Sequence, residues 1–108
     1  MRKLFALLLL GCTLCACTEK IKEKILTIPG EALPNIGYYL KRHMRGEHNL
    51  IFGLTNDAFG YILTKVDFNS FRRYEYVSRT SLGEMTGEIL IENALKLIAD
   101  SPRPGNKK

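Results

Sequence analysis

The residues in this chain best suited to chemistry are three thiols, Cys12, Cys15 and Cys17, the only cysteines in the sequence. Thiols this close together offer acylation, metal binding or disulfide exchange. A second group is His43 and His48 with Glu47 beside them, a set that a divalent cation could use. Five residues along a helix turn through about 500°, which separates the two rings, and Arg42 and Arg45 repel a cation. The pair therefore reads as His43 on a core face and His48 in a loop, with no metal site. Glu84, Glu88 and Glu92 repeat at i, i+4, a spacing that makes neighbours on a solvated helix face rather than an acid and a base. Ser70, Ser78 and Ser81 lack a Gly-x-Ser-x-Gly elbow. Gly83-Glu84-Met85-Thr86-Gly87 lacks the lysine and the length of a phosphate-binding loop. No catalytic residue and no cofactor is expected, and the chain reads as a non-enzyme.

The surroundings of the thiols narrow their use. Met1, Arg2 and Lys3 make a positive start, Leu4 to Leu10 is an unbroken apolar run, and Gly11 to Ala16 is small and weakly polar, the layout of a secretory signal peptide over residues 1–16. As a helix, residues 4–16 would cover about 20 Å of a bilayer core of roughly 30 Å, too little for a permanent span. Leu14-Cys15-Ala16-Cys17 resembles the lipobox of bacterial lipoprotein precursors, Leu-x-(Ala/Gly)-Cys, although that family usually has Ser, Ala or Thr where Cys15 stands. The resemblance covers only the first 17 residues or so. It implies cleavage between Ala16 and Cys17, a diacylglycerol thioether on Cys17 and acylation of the freed amine. A second match, Leu9-Leu10-Gly11-Cys12, would leave a short signal whose apolar run meets the cut, so Cys17 is the expected site. Thr18, where an Asp tends to retain such proteins in the inner membrane, implies the outer membrane, periplasmic side, in a Gram-negative host and the cell membrane otherwise. Two or three acyl chains satisfy the two-signal requirement for stable anchoring.

Cleavage before Cys17 leaves 92 of the 108 residues and lowers the formal charge from +5 to +3. With Cys17 acylated, no thiol remains for a disulfide, and the fold must hold by its core. Charge is segregated: Cys17 to Gly46 has six basic and three acidic residues, whereas Ser81 to Ser101 has one and four. The first group, Lys20, Lys22, Lys24, Lys41, Arg42 and Arg45, could face anionic headgroups next to an anchor. Export argues against nucleic acid as a partner.

The remaining pattern divides the mature chain into a lipid-anchored tether over 17–35, a domain over 36–101 and a disordered basic tail over 102–108. Ile36, Tyr39, Leu40, His43 and Met44 mark one helix face that ends near Gly46. Leu50, Phe52 and Leu54 alternate with other residues, and Phe59 to Phe68 resumes the alternation after Asn56-Asp57-Ala58, which predicts an antiparallel hairpin. Arg72 to Ser78 predicts a third strand. Glu88 to Asp100 predicts a helix, with Ser81 and Glu84 at capping-box spacing and Thr86 as a rival cap. The expected fold is a small α+β domain of helix, antiparallel hairpin, third strand and C-terminal helix.

These readings point to a lipid-anchored envelope lipoprotein, held to its membrane through Cys17, that binds or stabilises another envelope protein. Tyr38, Tyr61, Tyr74 and Tyr76 are candidate contacts, since Tyr is enriched at interfaces, together with Asn56 and Asp57 at the hairpin tip. An alternative is a small inhibitor or exclusion lipoprotein acting on a hydrolase, a phage receptor or a conjugation channel, with Asn56-Asp57-Ala58 entering a cleft.

Overall fold

The computed structural model of the protein describes residues 23–103; the expected signal segment with Cys12 and Cys15, the expected acylation site Cys17, Lys20, Lys22 and the expected tail from Pro104 lie outside them. Strand β1, Glu23–Thr27, alternates half-buried Lys24 and Leu26 with exposed neighbours. Pro29-Gly30 bends the chain into a second short strand, β2, Glu31–Ala32. Pro34 then sits in the first turn of helix α1, Pro34–His43, where its missing N–H costs no helix bond. Strand β3, His48–Phe52, returns parallel to β1, with Ile25 opposite Leu50 and Thr27 opposite Phe52. Strand β4, Tyr61–Ile62, pairs parallel to β2, and Ser81 makes a parallel bridge to Tyr61. A 3₁₀ turn at Arg72–Tyr74 leads into the short helix α2, Glu75–Arg79, and the chain ends in helix α3, Thr86–Asp100.

The two strand pairs share one extended segment. Ile28 N–H donates to Phe52 O and Gly30 O accepts from Leu54 N–H, on the β3 side. Pro29 O accepts from Phe59 N–H, Glu31 N–H donates to Gly60 O and Leu33 N–H to Ile62 O, on the β4 side. Residues 23–33 thus form the middle strand, flanked by β3 and β4, and residues 53–60 cross from one of its edges to the other.

Every strand pair among the described residues is parallel, so the expected antiparallel hairpin is absent and the α+β reading is corrected to a parallel arrangement with three helices. Leu54 and Asn56 adopt positive φ, 52° and 66°, and that sparsely populated backbone carries the chain across the strand instead of folding it back on β3. Phe59–Phe68 contributes only Tyr61–Ile62 as strand, after which Asp67 and Phe68 N–H groups both donate to Thr64 O in a turn. Arg72–Ser78 is helical, not a strand: Tyr74, Val77 and Ser78, at i, i+3, i+4, are its inward residues. Residues 23–35, assigned above to a tether, hold β1, β2 and the start of α1.

The core lies on one side of the β1–β3 pair. Ile28 from the middle strand, Ile36, Leu40 and Met44 from α1 and its end, Ile62 from β4, and Ala94 and Ile98 from α3 form one buried cluster, with Leu26, Ile51, Leu90, Ile91 and Leu95 packed on it. His43 is exposed, stacked on Tyr39 with ring centroids 4.5 Å apart; it is not a core residue. Asn49 locks the crossover, its Nδ2 donating to Lys41 O and Met44 O at 3.2 and 3.3 Å while its Oδ1 accepts from Gly46 N–H. The N-terminal turn of α3 lies on β4's exit: a Cβ at Gly87 would stand 2.1 Å from Leu63 O, whereas one at Gly37 in α1 meets nothing within 4 Å. Gly87→Ala should therefore lower the unfolding free energy by about 1–3 kcal/mol through forced backbone displacement. Gly37→Ala should raise it by about 0.5–1 kcal/mol. Urea unfolding of the two variants checks both signs.

Candidate functional site

The alternation that buries Leu26, Ile28 and Ile51 turns the other face of β1 and β3 outward. Ile25, Leu50 and Phe52 are 55%, 41% and 50% exposed, and the register places Ile25 beside Leu50. Leu54, which follows on from β3, is also exposed. Parallel strands ordinarily have both faces covered by other elements. Here the helices take one face and leave an apolar strip on the other. The sequence reading missed this strip because Glu23 to Ile28 was counted as tether. The signal was present in the alternation of Lys24, Leu26 and Ile28 with Glu23, Ile25 and Thr27.

The candidate tyrosines are distributed differently. Tyr61 on β4 and Tyr76 on α2 meet edge to face with centroids 6.0 Å apart, and Tyr76 is exposed. Tyr74 pairs with exposed Phe71 at 5.6 Å in the same kind of geometry. Tyr38 is exposed on α1 and meets no other ring among the described residues. Asn56 and Asp57 are exposed, but not at a hairpin tip: they lie in the segment that crosses the middle strand, where Asp57 Oδ1 accepts from Ala58 N–H at 2.8 Å.

The carboxylates act as structural ties. Glu92 pairs with Lys96 at 2.7 Å on the exposed face of α3, and that hydrogen bond and charge hold its carboxyl below the usual carboxylate range. Glu88 turns instead to the end of β4, its Oε1 accepting from Lys65 N–H at 2.7 Å. Asp67 Oδ2 accepts from Thr64 Oγ1 at 2.7 Å and from Asn35 Nδ2 at 2.5 Å, tying the start of α1 to the segment after β4. Glu88 and Glu92 thus have different partners and do not form a facing pair. Among the described residues no three His, Cys, Asp or Glu side chains come together as a metal set.

The N-terminal ends of β1 and β3 and the C-terminal ends of α1 and α3 meet at one pole. Lys24 Nζ donates to Pro102 O at 2.5 Å, joining β1 to the end of α3. Asn49 joins the start of β3 to the end of α1. Lys41, Arg42, Arg45 and Arg103 are exposed at this pole, as are the carboxylates of Glu23, Glu47 and Asp100.

No protein-family model, no curated protein and no solved structure was found to match this chain. No helix among the described residues is long and apolar enough to cross a membrane.

The Tyr61–Tyr76 contact gives a direct measure of how tightly α2 is held against β4. A double-mutant cycle of Tyr61→Ala and Tyr76→Ala, read by urea unfolding, should give a coupling of about 0.5–1.5 kcal/mol, as edge-to-face aromatic pairs do. A coupling near zero would mean that Tyr76 is free to contact another molecule without loss to the fold.

Proposed function

We propose that the protein is a lipid-anchored envelope lipoprotein, without catalytic activity, that binds or stabilises another envelope protein. The observation that carries this reading is the segment Leu14-Cys15-Ala16-Cys17, placed only six residues before the first strand residue, Glu23. Acylation of Cys17 would tie β1 to the bilayer by at most about 20 Å of extended chain. The basic side chains at the same pole, Lys41 and Arg42 among them, would then lie over headgroups, where each exposed cation near an anionic surface contributes about 1 kcal/mol. In a Gram-negative host the expected surface is the periplasmic side of the outer membrane.

The binding part of the reading is supported by the outward strip of Ile25, Leu50 and Phe52. Apolar patches of this kind on a parallel pair are suited to contact with another protein. Tyr61 with Tyr76 and Tyr74 with Phe71 offer a second, aromatic contact area. No grouping of residues favours the cleft-inserting alternative, because Asn56 and Asp57 run across the domain instead of projecting as a hairpin tip.

Metabolic labelling with radioactive palmitate tests the anchor. Wild type and Cys12→Ser should label equally, and Cys17→Ser should lose the label and accumulate as uncleaved precursor; equal labelling of Cys17→Ser removes the basis of the proposal. Photo-crosslinking from position 52 in intact cells tests the binding role. One stoichiometric envelope protein is expected, whereas a hydrolase, receptor or channel component whose activity rises when the gene is deleted would assign the protein to inhibition.

A further inference from the structure

A groove runs beside β1 on the side away from β3. Its walls are Leu26, Met44, Leu97 and Ile98, its volume is about 320 Å³, and among the described residues its only ionisable lining groups are Lys24 and Arg45. Both are cations, and no carboxylate of the described residues lines it. Arg45 is exposed and has no ion-pair or hydrogen-bond partner among the described residues.

The floor of this groove is an open strand edge. A parallel ladder uses the N–H and C=O groups of alternate residues. Ile28 and Gly30 bond toward β3, so Lys24 and Leu26 do the same, and the main-chain groups of Ile25 and Thr27 point to the opposite edge. Strand β4 does not reach them, because its pairing begins where Pro29 O accepts Phe59 N–H. The groove therefore combines two successive pairs of free main-chain groups, an apolar wall and two cations at one end. An acyl chain could fill the wall but would leave those N–H and C=O groups unsatisfied. An added strand satisfies them, and its alternate side chains fall into the apolar pocket.

We infer that the groove between β1 and the C-terminal half of α3 takes an extended peptide segment of a partner protein, added to β1 as a further strand, with an apolar side chain against Leu26, Met44 and Ile98 and a carboxylate at Lys24 and Arg45. This deepens the proposed binding role and rests on it. It does not depend on acylation of Cys17, so failure of the anchor and failure of the groove are separate results.

The test uses the full chain in phosphatidylcholine nanodiscs and a fluorescein-labelled peptide, Glu-Val-Thr-Val-Thr-Val-Glu, followed by fluorescence anisotropy. Two control peptides replace the glutamates by lysine or the threonines by proline. Saturable binding of the first peptide is expected, at least ten-fold weaker for both controls and at least ten-fold weaker in Arg45→Glu, whose exposed side chain the fold does not need. Thr27→Pro, which removes an N–H outside the β1–β3 ladder, should weaken binding similarly. Amide exchange should slow at Ile25 and Thr27 when the peptide binds. Equal binding of the proline peptide, or an unchanged affinity in Arg45→Glu, overturns the inference. So does protection of the same two amides by phosphatidylglycerol in the discs without peptide, if Arg45→Glu relieves it, since the groove would then be a headgroup site.

Discussion

The parallel pairing of β1 with β3 is the constraint on which the rest of the molecule depends. Two parallel strands in one sheet cannot be joined by a tight turn, so the chain between them must travel back the length of the strand. Helix α1 makes that return, and its apolar stripe of Ile36 and Leu40, with Met44 just past its end, is buried because the crossover lays it over the strands. Asn49 closes the unit from the start of β3 by satisfying the Lys41 carbonyl of α1, the Met44 carbonyl just past its end and the Gly46 N–H of the loop. Once the unit is closed, the face carrying Leu26, Ile28 and Ile51 is the natural seat for α3, and Ala94 and Ile98 complete the cluster. The second strand pair follows from the same segment, since β2 continues β1 beyond Pro29-Gly30.

That construction leaves a deficit. With α1 and α3 on one side, the β1–β3 pair has no second layer among the described residues, and β1 has no neighbour among them along Ile25 and Thr27. A domain of this size buries only somewhat over about 60% of the surface its unfolded chain exposes, so it has little core to spare for holding an uncovered apolar strip. An open parallel edge and an open apolar face on the same strand are features that larger α/β proteins cover with further strands and helices. Here the same features remain available to another chain.

Much of the helical part was legible from the sequence because apolar residues at i, i+3, i+4 have one physical explanation. The stripe in α1 was read correctly at Ile36, Leu40 and Met44. It failed at Tyr39 and His43, two exposed rings at the right spacing that meet each other at the edge of the stripe. In α3 the helix expected from Glu88 to Asp100 turns Leu90, Ile91, Ala94, Leu95 and Ile98 to the core, and Leu97, 64% exposed, borders the groove instead. Strand partners were not legible. Alternation identifies a strand but not its neighbour, and β3 was matched with the apolar run that follows it although its true partner lies beyond α1, in a segment whose lysines made it look like a solvated stalk. The short helix at Glu75–Arg79 was read as a strand for a related reason: five residues are too few for periods of 2 and 3.6 to be told apart. Of the candidate contacts, Tyr61 and Tyr76 were named separately, and nothing in their spacing foretold that α2 would bring them together.

The placement of the open edge relative to the N-terminus bears on what kind of partner could use it. With Cys17 as the proposed anchor, the start of β1 lies within about 20 Å of the lipid, and Lys24 and Arg45 mark the end of the groove nearest to it. A segment lying along β1 would therefore approach with its carboxylate toward the membrane and its apolar side chains away from it. A partner confined to the same surface meets that edge at an effective concentration set by the short tether rather than by the volume of the compartment, and this makes even a short strand sufficient. A soluble partner lacks that gain and fills the edge only at higher concentration, because its edge hydrogen bonds, at about 0.5–1.5 kcal/mol each, and the groove's apolar and charged contacts must together offset the entropy of association. On the proposed anchoring, the open edge of β1 is suited to a membrane-held partner.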